Sequence, residues 1–288
     1  MRAIDPIFVA PRVVERDWGR DDLGEWGKLA PSPSGQTAEA WLHDAANSTD
    51  KGPLGRRLAA DSRAMLGDLG RAPPRSRLVF PGRETKVAST APVSFWTLLE
   101  PGHDHGGSLA ASVRRPGERI RAYEGAAITL PAGSVALEVS AVFQPANMPV
   151  ADGPSLIRLP PVTKRMRATL VREEALSVEM WTLPEWSRLK PDGETCHVVT
   201  ALTPGVVLDG RHLRAGETAF IPAWGRPVGL VTRAAGAKVM VAYPDRTPTA
   251  IWRHTPGPDP MAGLLPEPEP ASPTVDAIAP SPEYAWAA

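Results

Sequence analysis

The chain has 288 residues, enough for one large or two small domains, and its 32 basic and 32 acidic residues leave no net charge. A nucleic-acid-binding protein usually shows a basic excess, and a membrane helix needs an apolar run of about 18 residues, which the sequence lacks. We therefore expect neither a nucleic-acid partner nor a membrane. The first residues lack the apolar core of a secretory signal, so we expect a cytoplasmic location. A single cysteine, Cys196, excludes a disulfide framework.

In chain order, one helix is predicted near residues 53–69, within a segment whose apolar residues recur at helical spacing. Most of the remaining chain consists of short apolar runs that are rich in Val, Ile, Phe and Trp and are separated by Gly and Pro, a pattern typical of strands. These runs are Ser94–Leu99, Ala126–Leu130, Val135–Phe143, Leu176–Leu183, His197–Leu202, Thr218–Ile221, Val228–Thr232 and Lys238–Tyr243. The pattern predicts an all-β fold, a sandwich or barrel, with a small helical segment.

Residues 255–288 contain nine prolines and five acidic residues but no lysine or arginine. Such a segment cannot bury enough apolar surface to offset its chain entropy, so we predict a disordered acidic tail. The preceding 254 residues then carry 32 basic against 27 acidic side chains. The tail ends in Tyr284 and Trp286, which could form a docking motif for a protein partner; an ordinary disordered end is the other interpretation.

A short motif occurs twice. Glu124–Gly133 reads EGAAITLPAG and Ala215–Gly225 reads AGETAFIPAWG, with the two glycine turns 91 residues apart. Each copy predicts a turn, a short strand and a proline at the strand end. The repeat indicates two similar β domains, which we place at 1–160, with the helix inserted, and at 161–254.

The spacing G-x5-P-x-G in this repeat resembles the second motif of the cupin superfamily, whose members are small double-stranded β-barrels, often metal-dependent. The order of further elements resembles class I mannose-6-phosphate isomerases, a family with two cupin barrels. The similar elements are Trp18, Gly19 and Leu23; Ala38, Glu39 and Trp41; Lys51–Gly55; Val93–Glu100; Leu176–Trp181; Cys196–Leu202; and Leu213–Ala223. The resemblance implies two tandem cupin domains and a sugar-phosphate isomerase ancestry.

The same resemblance implies a divalent metal held by a Gln-x-His pair, a glutamate and a second histidine. The corresponding positions here are Ser89, Ala91, Ser94 and Ala136. Alanine offers no donor to a metal, and zinc takes nitrogen, thiolate or carboxylate ligands. We therefore expect no metal cofactor. The protein would be a mannose-6-phosphate isomerase-like pseudoenzyme that binds a carbohydrate or sugar phosphate or has a regulatory role.

An alternative is an active metal-dependent isomerase or other cupin with a rearranged site. His103 and His105 form an H-x-H pair, which on a strand would place both imidazoles on one face and could bind zinc. However, the pair stands between Pro101 and Gly106, which favours a turn with solvated histidines. A third hypothesis is an interaction protein that uses its tail for docking.

Other charged and nucleophilic residues were weighed for function. Arg119 and Arg121 would share one face of a strand, and these two with Lys164 are candidates for binding a substrate phosphate, although surface positions are the simpler interpretation. Cys196 and His197 are adjacent, so on a strand they would point to opposite faces and could not act as a thiolate–imidazole pair. A buried structural cysteine is predicted.

Overall fold

The computed structural model describes ten stretches of the chain: residues 4–29, 35–44, 53–102, 113–142, 156–159, 167–173, 175–183, 186–233, 236–244 and 252–253. Strands dominate them. Those of the first half are β1 Ile7–Val9, β2 Arg12–Arg20, β3 Thr37–His43, β4 Arg75–Val79, β5 Thr85–Ala88, β6 Val93–Glu100, β7 Arg119–Tyr123, β8 Ala127–Leu130, β9 Val135–Ser140 and β10 Leu156–Arg158. Those of the second half are β11 Arg167–Arg172, β12 Ser177–Thr182, β13 Trp186–Leu189, β14 His197–Ala201, β15 Val206–Leu208, β16 Arg211–Leu213, β17 Thr218–Ile221, β18 Val228–Thr232, β19 Lys238–Tyr243 and β20 Trp252–Arg253.

These strands form two antiparallel barrels. In the first, a seven-stranded sheet of order β10-β7-β6-β9-β4-β3-β2 faces the pair β5-β8. In the second, a six-stranded sheet of order β1-β17-β14-β19-β12-β11 faces a five-stranded sheet of order β16-β15-β18-β13-β20. The predicted all-β, cupin-like fold is confirmed.

Three apolar layers hold the barrels together. One fills the first barrel, around Trp96 and Ile128, and another fills the second, around Trp181 and Leu230. The third lies between the two large sheets and includes Phe95 and Phe220. A strand such as β9 therefore buries both faces: Val135, Leu137 and Val139 enter the middle layer, while the alternate residues face the barrel interior. This explains why four of its six residues are apolar.

The first strand crosses to the other barrel. β1 pairs with β17 over Ile7–Val9, so residues at the start of the chain extend the sheet of its second half. Arg226 supports this segment through ion pairs with Asp5 and Asp209.

The helical segment predicted near residues 53–69 consists of α1 Pro53–Ala60 and α2 Ser62–Leu66. The carboxylate of Asp61 accepts a hydrogen bond from the amide of Ala64 at 3.0 Å and thereby caps α2. Gly67 follows with a positive φ of 87°, a conformation that suits glycine at a helix end. Neither helix of the described part of the chain is long and apolar enough to span a membrane.

Candidate functional site

Two of the predicted metal positions meet inside the first barrel. The hydroxyl oxygens of Ser89 and Ser94 lie 2.9 Å apart, and the indole Nε1 of Trp96 donates to Ser94 Oγ at 2.9 Å. Ser94 also hydrogen-bonds to the carboxylate of Glu138. Ser89 Oγ also lies 3.5 Å from the carbonyl oxygen of Ala91, so its single proton can be donated either to Ala91 or to Ser94, while Ser94 accepts from Trp96. The two serines therefore belong to a closed hydrogen-bond network.

The other two positions differ in their distance from the serines: Ala91 lies beside them, with its carbonyl oxygen 3.5 Å from Ser89 Oγ, whereas Ala136 does not. On the paired strands β6 and β9, Ser94 stands opposite Ser140, whereas Ala136 stands opposite Leu98, four positions further along β6. At about 3.3 Å per residue, this separates Ala136 from Ser94 by roughly 13 Å. Ala136 packs in the apolar core of the first barrel, and Ala91 is buried as well. The motif alignment thus marks four positions that this fold does not bring to one point.

A buried arginine dominates the same interior. Arg77 Nη1 lies 2.9 Å from Glu39 Oε1, and its Nε pairs with Glu138. Its guanidinium stands 4.8 Å from the ring centre of Trp41 and 5.5 Å from that of Trp96. Sheet register explains the cluster, because Trp41, Arg77, Glu138 and Trp96 are successive partners across β3, β4, β9 and β6. We call these residues with Glu39 the Arg77 cluster.

Burial sets the protonation of this cluster. It lowers the pKa of Arg77, but attraction to Glu138 and Glu39 outweighs that effect and leaves the pKa above its ordinary value. Burial also raises the pKa of Glu138 by more than Arg77 lowers it. Arg77 therefore stays charged, while Glu138 accepts a proton more readily than a solvated glutamate does. Trp41 Nε1 donates to Glu39 at 3.0 Å, so both carboxylates are bonded within the cluster.

The metal implied by the resemblance does not fit these residues. A zinc site needs three or four nitrogen, sulfur or carboxylate donors about 2.0–2.3 Å from the ion. The four expected positions present two hydroxyls and two methyl groups, and the nearby carboxylates are paired with Arg77. Within the described ranges, no group of three or more His, Cys, Asp or Glu could hold a metal ion. His103 and His105, the alternative ligands, lie outside the described residues.

The predicted phosphate-binding arginines lie between the barrels. Arg119 and Arg121 share a face of β7, opposite to the buried Ile120, as their spacing predicts. Arg119 Nη1 donates to the carbonyl of Leu170 at 2.8 Å, and Arg121 pairs with Glu173. Burial lowers the pKa of Arg119. Both guanidiniums thus link β7 to the second half of the chain.

A substrate-binding role for Arg119 and Arg121 stays a prediction, as it does for Lys164. Lys164 lies outside the described residues.

The second barrel contains a comparable ion pair. Glu179 Oε2 and Oε1 accept bonds from Arg167 at 2.5 and 2.9 Å, and they also accept from Trp181 Nε1 at 2.9 Å and from the Tyr243 hydroxyl at 3.0 Å. Burial alone would raise the pKa of Glu179, but the bonds from Arg167 and Trp181 lower it overall. Burial beside Glu179 raises the pKa of Tyr243 above its usual range. Glu179 is therefore a stable anion.

Both barrels share a local motif, Glu-x-Trp, in which the indole donates to the carboxylate two residues earlier. It occurs as Glu39–Trp41 and as Glu179–Trp181, and an arginine stands opposite the tryptophan on the neighbouring strand in each case. The sequence resemblance included Glu39, Trp41 and the segment Leu176–Trp181, but it pointed neither to the arginines nor to Glu138. Charged residues inside otherwise apolar strands were the available signal.

Cys196 and His197 point to opposite faces, as the alternation of a strand predicts. Cys196 lies in the layer between the barrels, and burial raises the pKa of its thiol to about 12. The prediction of a buried structural cysteine is confirmed. His197 faces the second barrel, with its ring centre 5.5 Å from that of Tyr243, and burial lowers its pKa to about 4.

A polar cleft of about 430 Å³ opens at one end of the first barrel. Arg20 crosses it and donates to the carbonyl of Gly133 at 2.8 Å, while Arg83 pairs with Asp17 at 2.9 Å. Trp18 lies in the wall and packs partly against the barrel core. The remaining lining is Gly19, Asp21, Asp22, Gln36, Gly82 and Ala132. We call this the rim cleft; it combines carboxylates, guanidiniums and an aromatic side chain.

Comparison with known proteins relates the fold to one group of enzymes. No protein-family model and no curated protein sequence matches the chain. A solved structure of a protein proposed to be a mannosephosphate isomerase from Archaeoglobus fulgidus is 14% identical, with a TM-score of 0.59, covering 85% of this chain and 99% of that one. A variant of phosphomannose isomerase from Salmonella typhimurium is 12% identical, with a TM-score of 0.59, covering 84% and 100%.

Mannose 6-phosphate isomerase from Bacillus subtilis is 16% identical, with a TM-score of 0.50, covering 84% of this chain and 99% of that chain. At such low identity the likeness concerns architecture, and it extends over nearly the whole of each neighbour. The chain therefore has the cupin-like fold of the mannose-6-phosphate isomerases.

Proposed function

We propose that this protein binds a carbohydrate or sugar phosphate on a mannose-6-phosphate isomerase fold and has no metal-dependent isomerase activity. The observation that carries the proposal is the donor set of the first barrel. Ser89 and Ser94 bond to each other, Ala91 and Ala136 offer no donor, and Arg77 pairs with both neighbouring carboxylates. This interior is built to be stable without a metal ion.

The rim cleft supports a sugar ligand. Carboxylates and guanidiniums can bond to sugar hydroxyls, an arginine can also bond to a phosphate, and an indole can pack against the apolar face of a sugar ring. Asp17, Trp18 and Arg83 all line the rim cleft. The sugar-phosphate class is suggested by the printed names of the structural neighbours, which are isomerases of phosphorylated mannose.

Activity is tested by incubating the purified protein with mannose 6-phosphate and measuring fructose 6-phosphate, with and without added zinc or manganese. We expect no turnover above background in either condition. Turnover that requires the added metal and is lost in the double variant His103→Ala/His105→Ala would instead establish the alternative, an active isomerase with a rearranged site.

Binding is tested by calorimetric titration with mannose and mannose 6-phosphate. Replacing Asp17 by Asn in the rim cleft should weaken the affinity about tenfold, since a bond to a charged group contributes roughly 1.5–3 kcal/mol. Asp68→Asn is the matched control, because Asp68 is also an exposed carboxylate paired with an arginine, Arg63, but lies away from the rim cleft. Equal affinities for the two variants would place the sugar elsewhere.

A further inference from the structure

The second barrel contains polar side chains that its own structure leaves unsatisfied. Among the described residues, Ser187 Oγ, Thr195 Oγ1 and both ring nitrogens of His197 are buried and have no hydrogen-bond partner. All three residues are fully buried. An unsatisfied buried polar group costs about 1–3 kcal/mol, so four such atoms in one barrel require an explanation.

Strand register places these groups in the same interior. His197 stands opposite Ile221, and Ser187 stands opposite Leu230; both partners belong to the apolar core of the second barrel. Further residues of the same two strands, Val199 and Leu189, belong to that core as well. Thr195 precedes His197 by two residues, at the entry of β14.

The surroundings determine what could satisfy them. The charges of two carboxylates, Asp192 and Glu179, act on His197. The Glu179 carboxylate is already bonded by Arg167, Trp181 and Tyr243, and Asp192 Oδ1 accepts from the amide of Glu194 at 2.9 Å. Neutral imidazole presents one donor and one acceptor, and each hydroxyl can do either. Complementary groups must likewise be uncharged and able to donate and accept, which is the chemistry of a hydroxyl.

We propose that the interior of the second barrel is a binding site for hydroxyl groups, held by His197, Thr195 and Ser187 and supplied by internal water or by a small polyol. The Arg167 side chain, which bonds to Glu179, is 28% exposed, whereas that of Glu179 is 1% exposed. This site is separate from the rim cleft and does not depend on the function proposed for that cleft.

The test uses the opposite effects of removing a satisfied and an unsatisfied polar group. The variants Thr195→Val and Ser187→Ala replace the hydroxyl groups by apolar groups of similar shape. If a guest bonds to these hydroxyls, each variant should raise the unfolding equilibrium constant about fivefold, measured by urea denaturation of the full chain. The control is Thr200→Val, because the buried Thr200 hydroxyl bonds to Thr218 at 2.8 Å and must show a loss of that size.

If no guest is present, removal of an unsatisfied hydroxyl relieves its desolvation cost, so Thr195→Val and Ser187→Ala would be neutral or more stable than the wild type. That result would overturn the proposal. Melting curves with increasing xylitol distinguish the two sources. A saturable rise in the melting temperature of the wild type that disappears in Thr195→Val identifies a polyol site. Equal, unsaturated shifts in the wild type and in Thr195→Val, together with destabilised variants in urea, identify internal water.

Discussion

At the residue scale, buried carboxylates differ by the number of bonds they accept. Glu179 accepts four hydrogen bonds, two of them from Arg167, and keeps its charge. Glu138 lies against Arg77 with the carboxylate of Glu39 nearby, and burial raises its pKa. The same kind of side chain therefore has a lowered pKa in one barrel and a raised pKa in the other.

Glu179→Ala should destabilise the protein by about 3 kcal/mol, because Arg167 loses its carboxylate and the buried indole and phenol lose their acceptor. Urea denaturation measures the change. Glu173→Ala is the control, since Glu173 pairs with Arg121 at a partly exposed position and should cost at most about 1 kcal/mol. Equal losses in the two variants would contradict the importance assigned to burial.

At the scale of elements, the Arg77 cluster joins four strands of one sheet. Four of its five members occupy one row across β3, β4, β9 and β6, so the ion pairs and the stacking on Trp41 and Trp96 connect strands that are far apart in sequence. Such a network specifies the register of the sheet, because a shift of one residue would turn every charged side chain to the other face.

Arg77→Met should cost about 3–5 kcal/mol, since it leaves Glu39 and Glu138 buried without a counter-charge. The triple variant that adds Glu39→Gln and Glu138→Gln should recover much of this loss. Burial raises the pKa of Glu138, so this carboxyl stabilises the folded state below its ordinary pKa and loses that contribution as the pH rises. On acidification, Arg77→Met should therefore gain stability relative to the triple variant, as measured by urea denaturation. Parallel pH dependences of the free energy of unfolding in the two variants would contradict this.

At the scale of the whole molecule, two buried histidines link stability to pH. His43 lies in the layer between the barrels, stacked on Phe220, with Nδ1 2.9 Å from the Pro74 carbonyl; His197 lies inside the second barrel. Burial lowers the pKa of each to about 4, against weaker opposing effects of Asp44 on His43 and of Asp192 on His197.

Because both pKa values are depressed in the folded state, their contribution is present above about pH 6.5 and is lost as the pH falls towards 4. The expected loss is about 3 kcal/mol for each histidine, measured as the free energy of unfolding at pH 7 and pH 4. His43→Asn, whose amide can donate to the Pro74 carbonyl, should flatten this dependence. The control is His212→Gln, at an exposed position of β16, which should keep the wild-type pH dependence of unfolding. An unchanged pH dependence for His43→Asn would refute the role assigned to His43.

Several local features could be predicted because they depend on neighbouring residues. Alternation along a strand correctly separated Cys196 from His197, and the glycine and proline spacing of the repeat indicated barrel strands. The positions that the resemblance assigned to the metal depend on more than the local sequence. Ser94 and Ala136 belong to paired strands, and the distance between them depends on a register that no local pattern contains.

The sequence by itself determined the all-β architecture, the short helical segment and the low donor content of the expected metal positions, since these follow from composition, spacing and residue chemistry. Only the tertiary structure decided that Arg77 meets Glu39 and Glu138, that Arg167 meets Glu179, and that His197 is buried with both ring nitrogens unsatisfied. The physical reason is that these contacts join strands distant in sequence, and burial then changes the strength and protonation of the groups that meet.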